Sequence, residues 1–235
     1  MPTFEATKQG YANLWAKMKV RPERVALAHT IATRLNAYRR RYETVAAGVG
    51  CPWWFVAAIH ELEAGGRFNT HLHNGDPLSA RTTHVPAGRP LQGQPPFSWE
   101  QSADDALRMR GIHKIVDWSV PRALYEWEAY NGWGYLGKVN SPYSWSFSTL
   151  YSGGKYIADH VWSATAVSQQ CGCAVILRAM LDLGYVVLET TKENAMQDLQ
   201  NLLSQFRVIA PTIATAIGGP LAGIVVKAVA DQFDE

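Results

Sequence analysis

Trp53-Trp54-Phe55-Val56-Ala57-Ala58-Ile59-His60-Glu61-Leu62-Glu63-Ala64-Gly65-Gly66 is the stretch from which the fold of this chain is read. Its first half is almost wholly apolar, so it predicts a helix buried on most sides, a central strut rather than a surface element. Pro52 suits the first turn of that helix, and Gly65-Gly66 ends it. Glu61 and Glu63 are two residues apart, which on a helix separates their directions by about 200°. They cannot both face one cleft. Glu63 follows Ile59 by four positions and Leu62 by one, at the edge of the apolar face, whereas Glu61 points to the other side. A carboxyl on an apolar edge loses solvent, which raises its pKa and keeps it protonated near neutrality. A general acid that protonates a glycosidic oxygen needs that state. The competing reading pairs Glu63 with Arg67 at i+4 as a surface salt bridge.

Upstream, Phe4, Tyr11, Leu14, Trp15 and Met18 recur at helical spacing. Pro22 fits a second helix start, and Val25, Leu27, Ala28, Ile31, Leu35 and Tyr38 continue the stripe as far as Val49-Gly50. Arg39-Arg40-Arg41 is read either as a solvated helix face or as a contact for an anionic polymer. Downstream, residues 67–96 change character, rich in Gly, Pro, Asn, Thr and His without a period. So long an irregular segment inside a domain points to a working loop. It holds His71, His73, Asn74, Asp76, Thr82, Thr83 and His84. The histidine spacings fit no zinc motif, and His60-Glu61 lacks the second histidine of a zinc-protease helix, so no metal and no cofactor is expected. Asp76, in Asn74-Gly75-Asp76-Pro77, belongs to a turn. Such a turn can fold back over the end of the preceding helix and bring a carboxylate near Glu63. Carboxyls about 6.5–9.5 Å apart would invert at the sugar carbon and about 5 Å apart would retain.

Helical patterns return from Trp99 to Ile115, from Pro121 to Tyr130, from Lys155 to Trp162 and from Cys171 to Leu183. A turn is expected at 131–135, an aromatic loop at 140–154, and a short strand only at Tyr185–Leu188. Tyr130, Trp133, Tyr143 and Trp145 are rings that can stack on sugar faces or pack in a core. His73 and Thr82 are polar candidates for the same substrate. The fold class is therefore mainly α, with a loop-rich active-site segment and a C-terminal helical appendage. Residues 1–188 form the main domain and 189–235 the appendage. In the latter, 189–206 reads as an amphipathic helix. Val208–Val226 is uncharged but broken by Gly218-Gly219-Pro220, so two short apolar helices are expected there, packed as a hairpin on the body or a partner protein, or contacting a membrane, with a fraying tail as the remaining reading.

The composition narrows the function classes. In 235 residues, 47% hydrophobic and 18% charged, a sizeable core can form. Twenty-two Lys and Arg against 20 Asp and Glu, formally +2, are too balanced for a protein that works mainly through phosphate contacts, so no nucleic-acid partner is expected. Nine Trp, 10 Tyr and 7 Phe supply many flat apolar faces. Cys51, Cys171 and Cys173 are expected as free thiols, since Cys171-Gly172-Cys173 is too tight for an easy disulfide. The first twenty residues show no charged leader followed by an apolar run. The chain is thus expected to be made in the cytoplasm without a signal peptide and to reach its target by release or delivery.

Ile59-His60-Glu61-Leu62-Glu63-Ala64-Gly65 resembles the helix-end catalytic motif of the lysozyme superfamily. Glu128-Ala129-Tyr130-Asn131-Gly132 is similar to the Ala-Tyr-Asn motif of soluble lytic transglycosylases and goose-type lysozymes. Gly154-Lys155-Tyr156-Ile157-Ala158-Asp159-His160-Val161 is similar to their later Tyr-Val-x-x-Val helix. Phe68 to Leu78 looks like a segment of phage and bacterial lysozyme-like proteins. The blocks run in the family order and cover about residues 50–165.

This resemblance implies a lysozyme-like helical fold and a phage endolysin or virion-associated muramidase. Such an enzyme cuts the bond between N-acetylmuramic acid and N-acetylglucosamine in peptidoglycan glycan strands, acting on the cell wall. It carries the acid role onto Glu63 and the water-positioning role of the goose-type pattern onto Asp76. It places Tyr130 and Asn131 beside the acid. Two outcomes remain open: hydrolysis with Asp76 holding water, or lytic transglycosylation by Glu63 alone. A third reading keeps the fold as a non-catalytic glycan-binding module. The chain departs from the family in lacking a Gly-Leu-Met-Gln block after the acid. Val85 to Pro96, rich in proline, stands there instead.

Overall fold

Eight α-helices and one two-stranded antiparallel sheet are built from the described residues, 1–158 and 160–188, of the computed structural model. The expectations for 189–235, including the apolar stretch 208–226, lie outside them. In chain order the helices are α1 (Phe4–Lys17), α2 (Pro22–Ala37), α3 (Arg39–Val49), α4 (Trp53–Ala64), α5 (Trp99–Met109), α6 (Val120–Asn131), α7 (Pro142–Trp145) and α8 (Cys173–Asp182). Strands β1 (Lys155–Ala158) and β2 (Val161–Ser163) lie between α7 and α8. Met1–Val186 forms one compact unit. Among the described residues no single helix is long and apolar enough to cross a membrane.

The strut read from residues 53–64 is α4. Trp53 through His60 are all buried, and Phe55, Val56, Ala57 and Ile59 are wholly so. It packs against α3 on one side and α8 on another. The ring of Trp127 on α6 stacks on Phe55, with centroids 5.5 Å apart and planes within 8°. Burial of this many large side chains, each worth about 1.5–3 kcal/mol, makes α4 the element around which the others are arranged. Its one buried polar side chain on that run is satisfied. His60 Nε2–H donates to the Arg67 carbonyl at 3.0 Å, and Nδ1 accepts from the Tyr42 hydroxyl at 2.9 Å. Burial lowers this imidazole to about 4, so it is neutral.

Three local expectations are corrected. The apolar stripe of residues 22–49 is broken at Tyr38, which leaves the helical region at φ −104°, ψ 15°. The break lets α2 pack against α8 while α3 turns to α4 and α5. A straight helix presents one stripe to one neighbour; two neighbours in different directions require the kink. It also resolves the arginine triplet. Arg39 pairs with Glu43 at 2.7 Å and lies over the Trp53 ring, while Arg41 pairs with Glu100 at 2.6 Å and lies over the Phe68 ring. Two of the three cations are thus engaged within the fold.

The second correction concerns residues 155–162, expected as a helix and likened to the Tyr-Val-x-x-Val helix. They form the β1–β2 hairpin instead. Tyr156 stands opposite Trp162 with rings 5.3 Å apart, and both meet Tyr135. An aromatic cross-strand pair supported by a third ring outweighs the weak helical period of so short a segment. The third is Tyr185–Leu188, which is not a strand. Among the described residues it has no strand beside it, and extended chain without a ladder partner is simply loop. The three cysteines are free thiols, as expected from their spacing.

Candidate active site

Glu63 lies in the last turn of α4, on the rim of the buried face, half-buried between the buried Leu62 and Ala64. The hydroxyl of Tyr143 donates to Glu63 Oε1 at 2.9 Å. Burial raises the carboxyl from its ordinary 4.5 to about 7, while the Tyr143 hydrogen bond and the positive charge of Arg110 pull it back by less. Glu61, two residues earlier, points away and is held by both oxygens in a fork with Arg34, at 2.8 and 2.7 Å. The two carboxylates are therefore divided as the helical geometry requires. Among the described residues no ion pair joins Glu63 to Arg67, so the surface salt-bridge reading does not hold.

Four pieces of the chain build this corner. Gly75, at φ +81°, lies against the end of α4: a Cβ there would stand 3.3 Å from the Glu63 carbonyl. The Asn74–Pro77 turn thus folds back over the end of α4, as its sequence suggested, and only glycine fits both the left-handed φ and the contact. Tyr130 on α6 is buried and donates its hydroxyl to the Leu72 carbonyl at 3.1 Å. Burial and then the neighbouring Glu63 charge raise its phenol well above 10. The Arg110 guanidinium, just past α5, sits 5.1 Å over the Tyr130 ring. Arg110 was not recognised in the sequence, because an exposed arginine at a helix end carries no spacing signal.

Tyr143 is brought to the acid by α7, and α7 is held by the start of α8. A Cβ on Gly172 would collide with the Ser144 carbonyl and come within 2.8 Å of the Trp145 amide nitrogen. Gly172→Ala is therefore expected to cost about 1–3 kcal/mol by overpacking and to displace Tyr143. Chemical denaturation would read the stability loss, and a changed pH profile would read the displacement. Tyr143→Phe isolates the hydrogen bond itself. Losing the donor removes support for the carboxylate, so the Glu63 pKa should rise further. A reaction that needs protonated Glu63 should then keep its activity to higher pH, with the alkaline limb moved upward. An unmoved limb would mean that Glu63 is not the group titrating there.

Asp76 is buried, and its carboxylate is fully engaged. Oδ2 accepts from the backbone N–H groups of Thr83 (2.7 Å) and His84 (3.0 Å) and from the Asn74 amide (3.3 Å), and Oδ1 accepts from His84 Nδ1–H at 2.6 Å. The backbone and side-chain hydrogen bonds from His84, with that of the Thr83 N–H, hold this carboxyl well below the usual carboxylate range. Such a group clasps residues 83–84 to the turn; as a base it is weak.

Several substrate candidates are engaged by other parts of the structure. His73 has no exposed side-chain surface; its Nε2–H donates to Asp105 at 2.8 Å, beside the Arg89–Asp105 pair. Thr82 is buried, with its hydroxyl donating to the Pro86 carbonyl and accepting from the Arg89 N–H. Both stitch the 67–96 loop together. An irregular segment has no ladder to satisfy its backbone, so its polar side chains are spent on that task. Trp145 is 1% exposed, a core ring rather than a sugar platform. Trp133 lies 5.2 Å from Tyr125 and lines a separate cavity that Glu63 does not reach. Asn131, the last residue of α6, is exposed. Of the candidates, then, Tyr130 and Tyr143 gather at Glu63, with Asp76 anchoring the turn behind it. Comparison of the chain with protein-family models, with curated proteins and with solved structures finds no match.

Proposed function

We propose that this chain is a peptidoglycan glycosidase that cleaves the bond between N-acetylmuramic acid and N-acetylglucosamine with Glu63 as general acid. The observation that carries the reading is the state of that carboxyl. It is half-buried at a helix end, raised to about 7 and, among the described residues, hydrogen-bonded by Tyr143 on one oxygen alone. A glycosidic oxygen is a poor leaving group, so the bond breaks only as a proton arrives. Glu63 supplies that proton as the bond from the muramic C1 to the oxygen parts. Tyr143 then steadies the carboxylate that remains, with Arg110 adding favourable charge.

The engagement of Asp76 favours the lytic transglycosylase outcome over hydrolysis. In that course the Glu63 carboxylate takes the proton of the muramic 6-hydroxyl as its oxygen bonds to C1. The product is a 1,6-anhydro ring, the acid is regenerated, and no base-held water is consumed. A pKa near 7 suits a group that must give and then take a proton at neutral pH.

Mass spectrometry of the fragments released from purified peptidoglycan tests this reading. Anhydromuramic ends are expected from the wild type and from Asp76→Asn, with the rate of the variant within about tenfold. Its loss should be felt instead in stability, by about 1 kcal/mol, because the N–H groups of residues 83–84 lose a charged acceptor. Reducing ends from the wild type, together with a hundredfold slower Asp76→Asn, would assign Asp76 the water and make the enzyme a hydrolase. No cleavage at all would leave the fold as a glycan-binding module.

A further inference from the structure

A cavity of about 610 Å³ opens on the α1 side of the molecule, lined by α1, α6 and residues 133–141. Glu63 is not part of it. Its size is that of a small-molecule site. Three of its rings are Tyr11, Trp133 and Tyr135. Each is buttressed by rings outside the lining. Tyr125 lies 6.5 Å from Tyr11 and 5.2 Å from Trp133, and Tyr135 meets Tyr156 at 5.5 Å and Trp162 at 5.9 Å. Tyr125 is itself tied by its hydroxyl to the Pro2 carbonyl at 3.0 Å. The three rings are thus held in place before a ligand arrives, so little freedom is lost on binding.

The polar atoms of these rings are not spent on the protein. Among the described residues the Tyr11 hydroxyl and the Trp133 indole N–H have no hydrogen-bond partner, and the Tyr135 hydroxyl only accepts, from the Tyr156 N–H at 3.4 Å. All three are left with a hydrogen to donate, and the indole N–H can do nothing else. The charged side chains of the lining are engaged. Glu128 is buried with the Ser141 and Ser144 hydroxyls at its carboxyl, and Lys138 donates to the Gly134 carbonyl and the Tyr156 hydroxyl. An ion finds no free opposite charge here, and a wholly apolar ligand would strip water from three donors without matching them. What fits is a neutral molecule with flat apolar faces and acceptors at its edge. A pyranose has that shape, and an acetamido carbonyl is a stronger acceptor than a hydroxyl.

We propose that this cavity is a second saccharide site, which binds a short N-acetylated sugar with its pyranose faces against the Tyr11 and Trp133 rings and its acetamido and hydroxyl oxygens accepting from Tyr11, Tyr135 and the Trp133 indole. Rings that pair an apolar face with a polar edge suit a ligand built the same way. Leu14 gives the acetamido methyl an apolar wall. Gly10 is exposed in the lining, and an added Cβ there would meet nothing within 4 Å, so the chain leaves this side open. The site stands independently of the reading of Glu63.

The test is a titration of the full-length chain with N,N′-diacetylchitobiose, followed by the Trp133 indole N–H resonance and the Gly10 and Gly137 amides. Cellobiose, which has hydroxyls in place of the acetamido groups, is the comparison. Saturable shifts at these reporters are expected, with cellobiose at least about tenfold weaker. Tyr11→Phe keeps the ring and loses the donor, and should weaken binding about threefold to tenfold. Gly10→Leu places a side chain in open space beside the rings, and should abolish the shifts at Trp133 and Gly137 while leaving the rest of the spectrum unchanged. Glu63→Gln should leave the shifts at these reporters as in the wild type, whatever that variant does to glycan cleavage. Absence of saturable shifts at the reporters, cellobiose bound as tightly, or an affinity unchanged by both Tyr11→Phe and Gly10→Leu would each overturn the proposal.

Discussion

Glu63→Gln is expected to lower the rate of peptidoglycan cleavage by about 10²–10⁴-fold, with the fold retained. The amide has the same shape and still accepts the Tyr143 hydrogen bond, but it has no proton to give to a leaving oxygen. The wild-type enzyme should lose activity as pH rises through about 7, since the acid is then ionised. The variant should show no such limb in its residual activity. Turbidity loss of purified cell walls across pH 5–9 would measure both. A variant as active as the wild type would remove Glu63 from the chemistry, and with it the glycosidase reading.

The second large effect is on stability. Burial raises the Glu128 carboxyl from 4.5 to about 7, and the nearby Ser144 and Ser141 hydroxyls offset this only in part. Between those values the folded chain holds a proton that the unfolded chain releases. Stability therefore falls as pH rises from about 4.5 and levels off above about 7. The whole span is worth roughly 3 kcal/mol. Glu128→Gln carries no charge at any pH. It should match the wild type near pH 4.5 and exceed it by roughly 2–3 kcal/mol at pH 8, as read by urea denaturation. Glu63 adds a slope of the same sign. His60, lowered to about 4, acts oppositely, because stability is lost as pH falls through 6.5 towards 4. The comparison of variant with wild type at each pH cancels these shared contributions. A variant no more stable at pH 8 would mean that Glu128 is not ionised in a dry site.

The two glutamates show how far local pattern reaches. Glu63 was legible because α4 is so uniformly apolar that its rim could be placed by counting along the helix; the desolvation follows from that position alone. Glu128 sits beside Trp127 on a helix whose neighbours are also mostly buried, so nothing in its spacing separates a cavity wall from a packed core. Its surroundings come from α1, more than a hundred residues earlier, and from the 133–141 turn. Tyr143 was visible as a ring but not as the partner of the acid, because a hydrogen bond across 80 positions has no trace in local sequence.

The amino-acid sequence by itself determined the helical class, the buried strut at 53–64, the division of Glu61 from Glu63 and the turn at Gly75, all products of short-range periodicity and backbone sterics. Only the tertiary structure decided the break at Tyr38, the hairpin at 155–163, the spending of His73, Thr82 and Asp76 on the loop, and the meeting of Tyr130, Tyr143 and Arg110 around one carboxyl. Each of these depends on which surfaces compete for the same neighbour once the chain is closed. That competition is settled by long-range packing and by the satisfaction of buried polar groups, not by any single segment.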